Sequence, residues 1–141
     1  MTRIVVDANV AIKWLLPEEH SEAAHSLLGH GLDLQSPDLL WAESGNILWK
    51  KWRRKELTSE QVVELLPDLR RFPVRILPSE PLCDLAWDVA HRFDRSFYDS
   101  LYLALAVSDA CPLVTADRRL YNALRTAPDF ELVWIGDMKG G

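Results

Sequence analysis

Apolar residues follow two rhythms along this chain. Short β-branched runs alternate with longer stretches in which apolar side chains return every three or four positions. Residues 3–7 (RIVVD) read as a strand, and 8–16 as a short helix broken by Pro17. A second helix is predicted over about 18–30, ending at Gly31, a residue suited to the left-handed position after a helix. A weak strand at 32–35 precedes Pro37 and Asp38, which start a helix running to about Lys55. Thr58 and Gln61 make a capping box for the next helix, and Pro67 should end or kink it near residue 66. Strand-like VRIL (74–77) is followed by helices at 80–93 and 97–110, a strand at 112–115, a helix at 117–126 and a last strand at 130–135. Strands alternating with helices predict an α/β fold whose parallel sheet is covered on both faces.

Composition narrows the class. The 141 residues fit one domain, 1–141, and 48% hydrophobic with 26% charged residues is ordinary for a globular protein. No apolar run approaches the roughly 18–20 residues of a membrane span. MTRIVVD enters a strand at once, leaving no room for a signal peptide, and Cys83 and Cys111 lack CxxC spacing. Both features predict a cytoplasmic protein with reduced thiols. A net charge of −5 excludes coating nucleic acid by bulk electrostatics, but WKKWRRK (49–55) supplies a local basic patch.

Four carboxylates stand out: Asp7 in IVVDANV, Glu43 in LLWAESGNIL, Asp99 in SFYDSLYLALA and Asp117 in PLVTADRRL. Asp7 and Asp117 follow strands and could simply cap the next helix, and Asp99 could close an S-x-x-D box with Ser96. Yet 101–107 is almost continuously apolar, so that helix must be buried, and an unpaired charge in its first turn is costly. Glu43 lies between Leu39 and Leu40 on one side and Ile47 on the other, with Asn46 the nearest polar neighbour, a setting unlike a surface glutamate's. Ligands of open parallel sheets bind beyond the carboxyl ends of the strands where strand order reverses, which would bring Asp7 and Asp117 together. Such a group cannot all stay ionised without a cation among them, and a divalent ion held by carboxylates points to phosphate chemistry.

The segments VVDANVAIKW, AESGNIL, YDSLYLALA and TADRRL occur in the order and spacing of PIN-domain ribonucleases, and the chain resembles the VapC-type toxins of toxin–antitoxin pairs. Asn9 stands where that family often has Ser or Thr, and Ser100 where it often has Ala. The resemblance implies a three-layer α/β/α fold with a five-stranded parallel sheet of order 3-2-1-4-5, and Mg²⁺- or Mn²⁺-dependent endonucleolytic cleavage of RNA. It implies that Asp7, Glu43, Asp99 and Asp117 are catalytic, that Asp7, Asp99 and Asp117 hold the metal, and that Asn9, Asn46 and Thr115 surround them. It also implies a small antitoxin partner, whose C-terminal segment covers the site, and a homodimer.

The residues agree with such chemistry on their own terms. Mg²⁺ prefers oxygen ligands and keeps several waters, so some carboxylates would bind the ion and others its waters. The four histidines lack metal spacing near the acidic quartet, and His20, His25 and His30 read as a solvated helix side. The competing class is a non-enzymatic, phospho-receiver-like Mg²⁺-binding domain. It would need an aspartate ending the third strand, where the chain reads VRILPSE, and it would leave Glu43 without a role. A phosphatase with Asp7 as nucleophile is disfavoured by Asn9 where an acid would be wanted. Lys50 and Arg54 follow Glu43 by seven and eleven residues, returning to its face two and three turns on, and are candidate RNA contacts. Trp41, Leu48 and Trp52 form a further stripe, read either as core or as a dimer surface.

Overall fold

The computed structural model describes residues 2–29 and 31–138. Five strands, β1 (Arg3–Val6), β2 (Asp33–Pro37), β3 (Val74–Leu77), β4 (Leu113–Thr115) and β5 (Leu132–Trp134), form one sheet. All its pairings are parallel and its order is β3-β2-β1-β4-β5, as expected. The connections carry α1 (Ala8–Leu15), α2 (Ser21–Ser26), α3 (Leu39–Arg53), α4 (Ser59–Leu69), α5 (Cys83–Phe93), α6 (Phe97–Ser108) and α7 (Arg118–Leu124), with short 3₁₀ turns before α5 and after β5.

Alternation along the strands sends side chains into two cores. From β1, Ile4 and Val6 join α1 residues Val10 and Trp14 on one face, while Val5 packs with Leu103, Leu105 and Leu113 on the other. Helix α6 is the centre of that second layer, and Ser100 through Ala106 are all buried. The apolar run predicted to be a deep helix is one.

Two sequence expectations are corrected. The helix expected over 18–30 shrinks to Ser21–Ser26, because His20 adopts a left-handed backbone (φ 66°) and the Ser21 hydroxyl donates to the Leu16 carbonyl while accepting from the Glu18 amide. His20 is therefore no part of a solvated helix side: it packs edge-on against Trp134, ring centres 5.6 Å apart. His30 lies outside the described residues. Helix α4 also runs through Pro67 to Leu69 rather than stopping near 66. The carbonyl that loses its partner belongs to exposed Val63, where water can serve it, and buried Leu69 anchors the last turn. The Thr58–Gln61 capping box forms as read from the sequence.

Candidate active site

Strand order reverses between β1 and β4: the chain builds β1, β2 and β3 to one side, then restarts with β4 against the free edge of β1. The register pairs Val5 with Leu113 and Val6 with Val114. One step further, Asp7 stands level with Thr115, and the Thr115 hydroxyl donates to Asp7 Oδ2 at 2.6 Å. Asp7 Oδ1 accepts from the Val10 amide at 3.0 Å, so this buried carboxylate also caps α1. The capping reading and the site reading thus describe one residue. Thr115 Oγ1 in turn accepts from the Asp117 amide at 3.0 Å, and Asp117 Oδ1 caps α7 through the Arg119 and Leu120 amides. A single hydroxyl sets the spacing of the two aspartates.

The other two carboxylates come from helices on opposite sides of this point. Ser96 Oγ accepts from the Asp99 amide at 3.0 Å, fixing the first turn of α6 so that half-buried Asp99 faces the cleft. Glu43 projects from the second turn of α3, and its Oε1 is buried with no hydrogen-bond donor among the described residues. Glu43, Asp99 and Asp117 line one cavity of about 580 Å³ with Asn9, Asn46 and Lys50. Asp7 and Thr115 lie buried at the strand ends behind it.

Burial and mutual repulsion hold protons on this cluster. Desolvation, with smaller contributions from Asp117 and Asp99, lifts Asp7 to about 6 against the pull of its Thr115 and Val10 hydrogen bonds. Glu43 is pushed up to about 7, first by burial and then by Asp7, Asp99 and Asp117, with Lys50 the opposing charge. Asp99 is raised by burial and by Asp117, with Arg95 and Ser96 acting against. Titratable groups so perturbed, gathered in a cleft, make this cleft the candidate functional site.

The residues fit a hydrated divalent cation. All the available donors are oxygens, and the buried Glu43 Oε1 is an acceptor without a hydrogen-bond donor among the described residues. Among the described residues no three acidic groups close on a single point, since Asp7 and Asp117 are tied to their caps and Asp99 sits across the cleft. That geometry suits an ion that keeps part of its water shell, as Mg²⁺ does.

Of the two candidate cations on α3, Lys50 lines the cavity, whereas Arg54 caps the exposed end of the helix outside it. Two other cations of the basic run are engaged elsewhere. Lys51 bridges to Glu18 at 3.4 Å, and the Arg53 guanidinium lies 5.6 Å from the Trp49 ring centre. The Trp41–Leu48–Trp52 stripe divides: Leu48 is fully buried and Trp41 partly, while Trp52 is 44% exposed beside a half-exposed Trp49.

Two site residues escaped the sequence reading. Tyr102 lies one turn beyond Asp99, its hydroxyl buried without a partner among the described residues, and its ionisation is opposed first by burial and then by the charges of Glu43 and Asp7. It therefore stays a neutral phenol behind the carboxylates, with the Ala8 backbone beside its oxygen. Its signal was a phenol inside a run read as simply apolar. Tyr98, the other, lines the cavity beside Asp99.

Residues 4–124 match the family model described as the PIN domain. The chain belongs to the PIN-domain family. Within that family it is similar to Ribonuclease VapC3 of Pyrobaculum aerophilum, 31% identical over 120 residues that cover 84% of this chain and 92% of that protein. It is similar as well to Ribonuclease VapC1 of Mycobacterium tuberculosis, 32% identical over 138 residues covering 94% and 99%. Among solved PIN-like structures, PAE2754 from Pyrobaculum aerophilum superposes with a TM-score of 0.71 at 25% identity, covering 96% of this chain and 90% of that one. The fold is shared with VapBC2 from Rickettsia felis, solved bound to a DNA fragment from its promoter, at a TM-score of 0.67 and 14% identity, covering 94% and 98%. The acidic cleft described above lies within the part of the chain that the PIN-domain match covers.

Proposed function

We propose that this PIN-domain protein is an endoribonuclease, the toxin of a toxin–antitoxin pair, which hydrolyses RNA phosphodiester bonds with a Mg²⁺ or Mn²⁺ ion. The observation that carries the reading is the gathering of Glu43, Asp99 and Asp117 around one cavity at the strand-order reversal, with Asp7 buried behind it. The similarity to VapC ribonucleases supports it. Asp7, Asp99 and Asp117 would hold the ion, partly through waters. When bound, it would neutralise charge developing on the phosphate and make a water more acidic.

The chain's own groups supply the remainder. Glu43, poised near neutral pH, accepts the proton of the attacking water, a task for which a pKa near the working pH is best. Thr115 fixes Asp7 by its short hydrogen bond and holds Asp117 through its amide, so neither carboxylate must reorganise during the reaction. Asn9 and Asn46 offer amides to the substrate's polar edges from the rim, and Lys50 offers a charge to its backbone. Arg54, farther along α3, would extend that contact only to a longer strand.

The same reading assigns a cytoplasmic location, a protein antitoxin as partner, and self-association. Trp49 and Trp52 border a groove of about 440 Å³ between α3 and α4, lined also by Gly45 and Val62, which is a surface for such contacts. No helix among the described residues is long and apolar enough to cross a membrane.

The deciding assay incubates the protein with RNA and, separately, with a small chromogenic phosphate ester, each with Mn²⁺, with Mg²⁺ and with EDTA. RNA cleavage that needs the ion and is lost in Asp99→Asn is the expected result. Ester hydrolysis without RNA cleavage would make the protein a phosphatase, and ion binding without any hydrolysis would make it a receiver-like domain.

A further inference from the structure

The cavity holds a group that the chemistry of hydrolysis does not use. Tyr98 is 61% exposed, and among the described residues it pairs with no other ring and makes no side-chain hydrogen bond. Every other strongly exposed aromatic stands outside the cavity: Trp87 stacks on His91, and Trp49 and Trp52 border the α3–α4 groove. Tyr98 is the one ring among the residues lining the cavity.

Its mounting is rigid. The Ser96 cap that fixes Asp99 fixes the Tyr98 backbone in the same turn. Successive helical residues diverge by about 100°, so the ring stands beside the Asp99 carboxylate and leaves the space before it open. Lys50 faces the cavity from α3. The volume, about 580 Å³, is that of a small-ligand cleft.

Electrostatics makes such a ring useful. An acidic cavity in a chain of net charge −5 draws little affinity from phosphates, with Lys50 the only lysine or arginine among the described residues that line it. Base stacking on an aromatic ring is uncharged and insensitive to the surrounding carboxylates, and it contributes at every base because each has a π-face. A paired base is stacked on both sides and cannot meet the ring, so stacking of this kind selects unpaired nucleotides.

We propose that Tyr98 is the base-stacking platform of the site, seating the base of the nucleotide next to the scissile phosphate. The inference rests on the ribonuclease reading and adds the residue that holds the base.

The test begins with a labelled, random-sequence single-stranded RNA pool and Mn²⁺, from which the best-cut oligonucleotide is taken. That oligonucleotide is then made in duplex form, and with an abasic ribose at each position flanking the cut. Tyr98→Ala should raise KM for the single strand by about 5- to 100-fold, with Tyr98→Phe and Tyr98→Trp close to the parent. The duplex should resist cleavage by the parent. One abasic position should raise KM for the parent by the same factor and leave Tyr98→Ala unaffected, the mark of a lost contact rather than a disturbed fold. Equal KM for parent and Tyr98→Ala, or an alanine penalty that persists at every abasic position, would overturn the proposal. Unchanged cleavage together with weakened antitoxin binding would overturn it in favour of a protein contact. A parent that cuts no RNA while binding Mn²⁺ would overturn the ribonuclease reading, and this inference with it.

Discussion

Replacing Asp7 by Asn should make the metal-free protein more stable at neutral pH while destroying its activity. Asp7 has its pKa lifted from 3.8 to about 6, chiefly by burial, so between those values the native state keeps a proton that the unfolded chain has released. Stability therefore falls as pH rises through that window, and above it the ionised carboxylate costs about 3 kcal/mol at 1.36 kcal/mol per unit. Asparagine removes that penalty but not without loss. Its amide oxygen can still accept from the Val10 amide, whereas its NH₂ meets a Thr115 hydroxyl that has lost its acceptor, at a cost of about 1 kcal/mol. The balance is a gain of about 1–2 kcal/mol, or roughly 3–8 °C in melting temperature for a chain of this size. The measurement is urea and thermal unfolding of parent and Asp7→Asn in EDTA at pH 8 and pH 4.5. The difference should be largest at pH 8 and should vanish or reverse at pH 4.5, where the parent is protonated. An Asn variant that is less stable at both pH values would show that Asp7 serves mainly as a cap, and would refute the claim that its charge is held against the fold.

Further outcomes follow from the same geometry. Asp99→Asn and Glu43→Gln should each lower cleavage by at least about 100-fold, keep the native circular dichroism spectrum, and show a smaller rise in melting temperature with Mg²⁺ than the parent; unfolding of Asp99→Asn would instead mark it as structural. Mg²⁺ binding should tighten as pH rises from 5.5 to 8, because the ion displaces protons from Asp7 and Glu43, whose values lie near 6 and 7; calorimetry in buffers of different ionisation enthalpy would detect the released protons. Lys50→Gln should flatten the dependence of RNA binding on log salt by about 0.7, and Arg54→Gln should change it much less, since only Lys50 reaches the cavity. Thr115→Val should lower stability by about 1–3 kcal/mol and reduce cleavage, because it leaves Asp7 Oδ2 and the Asp117 amide without their shared partner.

What the sequence disclosed here, and what it hid, divide along physical lines. Short β-branched runs marked the strands, and their alternation with helices marked the parallel sheet. The apolar framing of Glu43 was a sound guide to a buried carboxylate, because a helix face must meet something along its whole length. Local hydrogen bonds were harder to foresee. The left-handed His20 and the double role of the Ser21 hydroxyl depend on a turn whose partners are set by three-dimensional packing, so a helical pattern there was overridden. Pro67 misled because proline's missing donor matters only where the vacated carbonyl is shielded from water. The engagement of Lys51 with Glu18 could not be read from the run WKKWRRK, since the partner lies more than thirty residues away. Tyr98 and Tyr102 were hidden by their type, as tyrosine satisfies an apolar pattern and conceals a polar tip.

The hydrogen bond from Thr115 to Asp7 spans 108 positions of sequence. The central pairing of the sheet is thus also one of the most distant along the chain, so the loop closed when β4 docks on β1 comprises most of the protein. On the ribosome, β1, β2 and β3 emerge before β4 and can pair, but the edge of β1 that β4 will occupy stays empty until β4 has followed. The acidic cleft is completed by this docking event, since it delivers Asp117 and the Thr115 hydroxyl together. Until β4 has emerged, a nascent chain holds Asp7 and Glu43 but neither the Thr115 hydroxyl nor the Asp117 that complete the cleft.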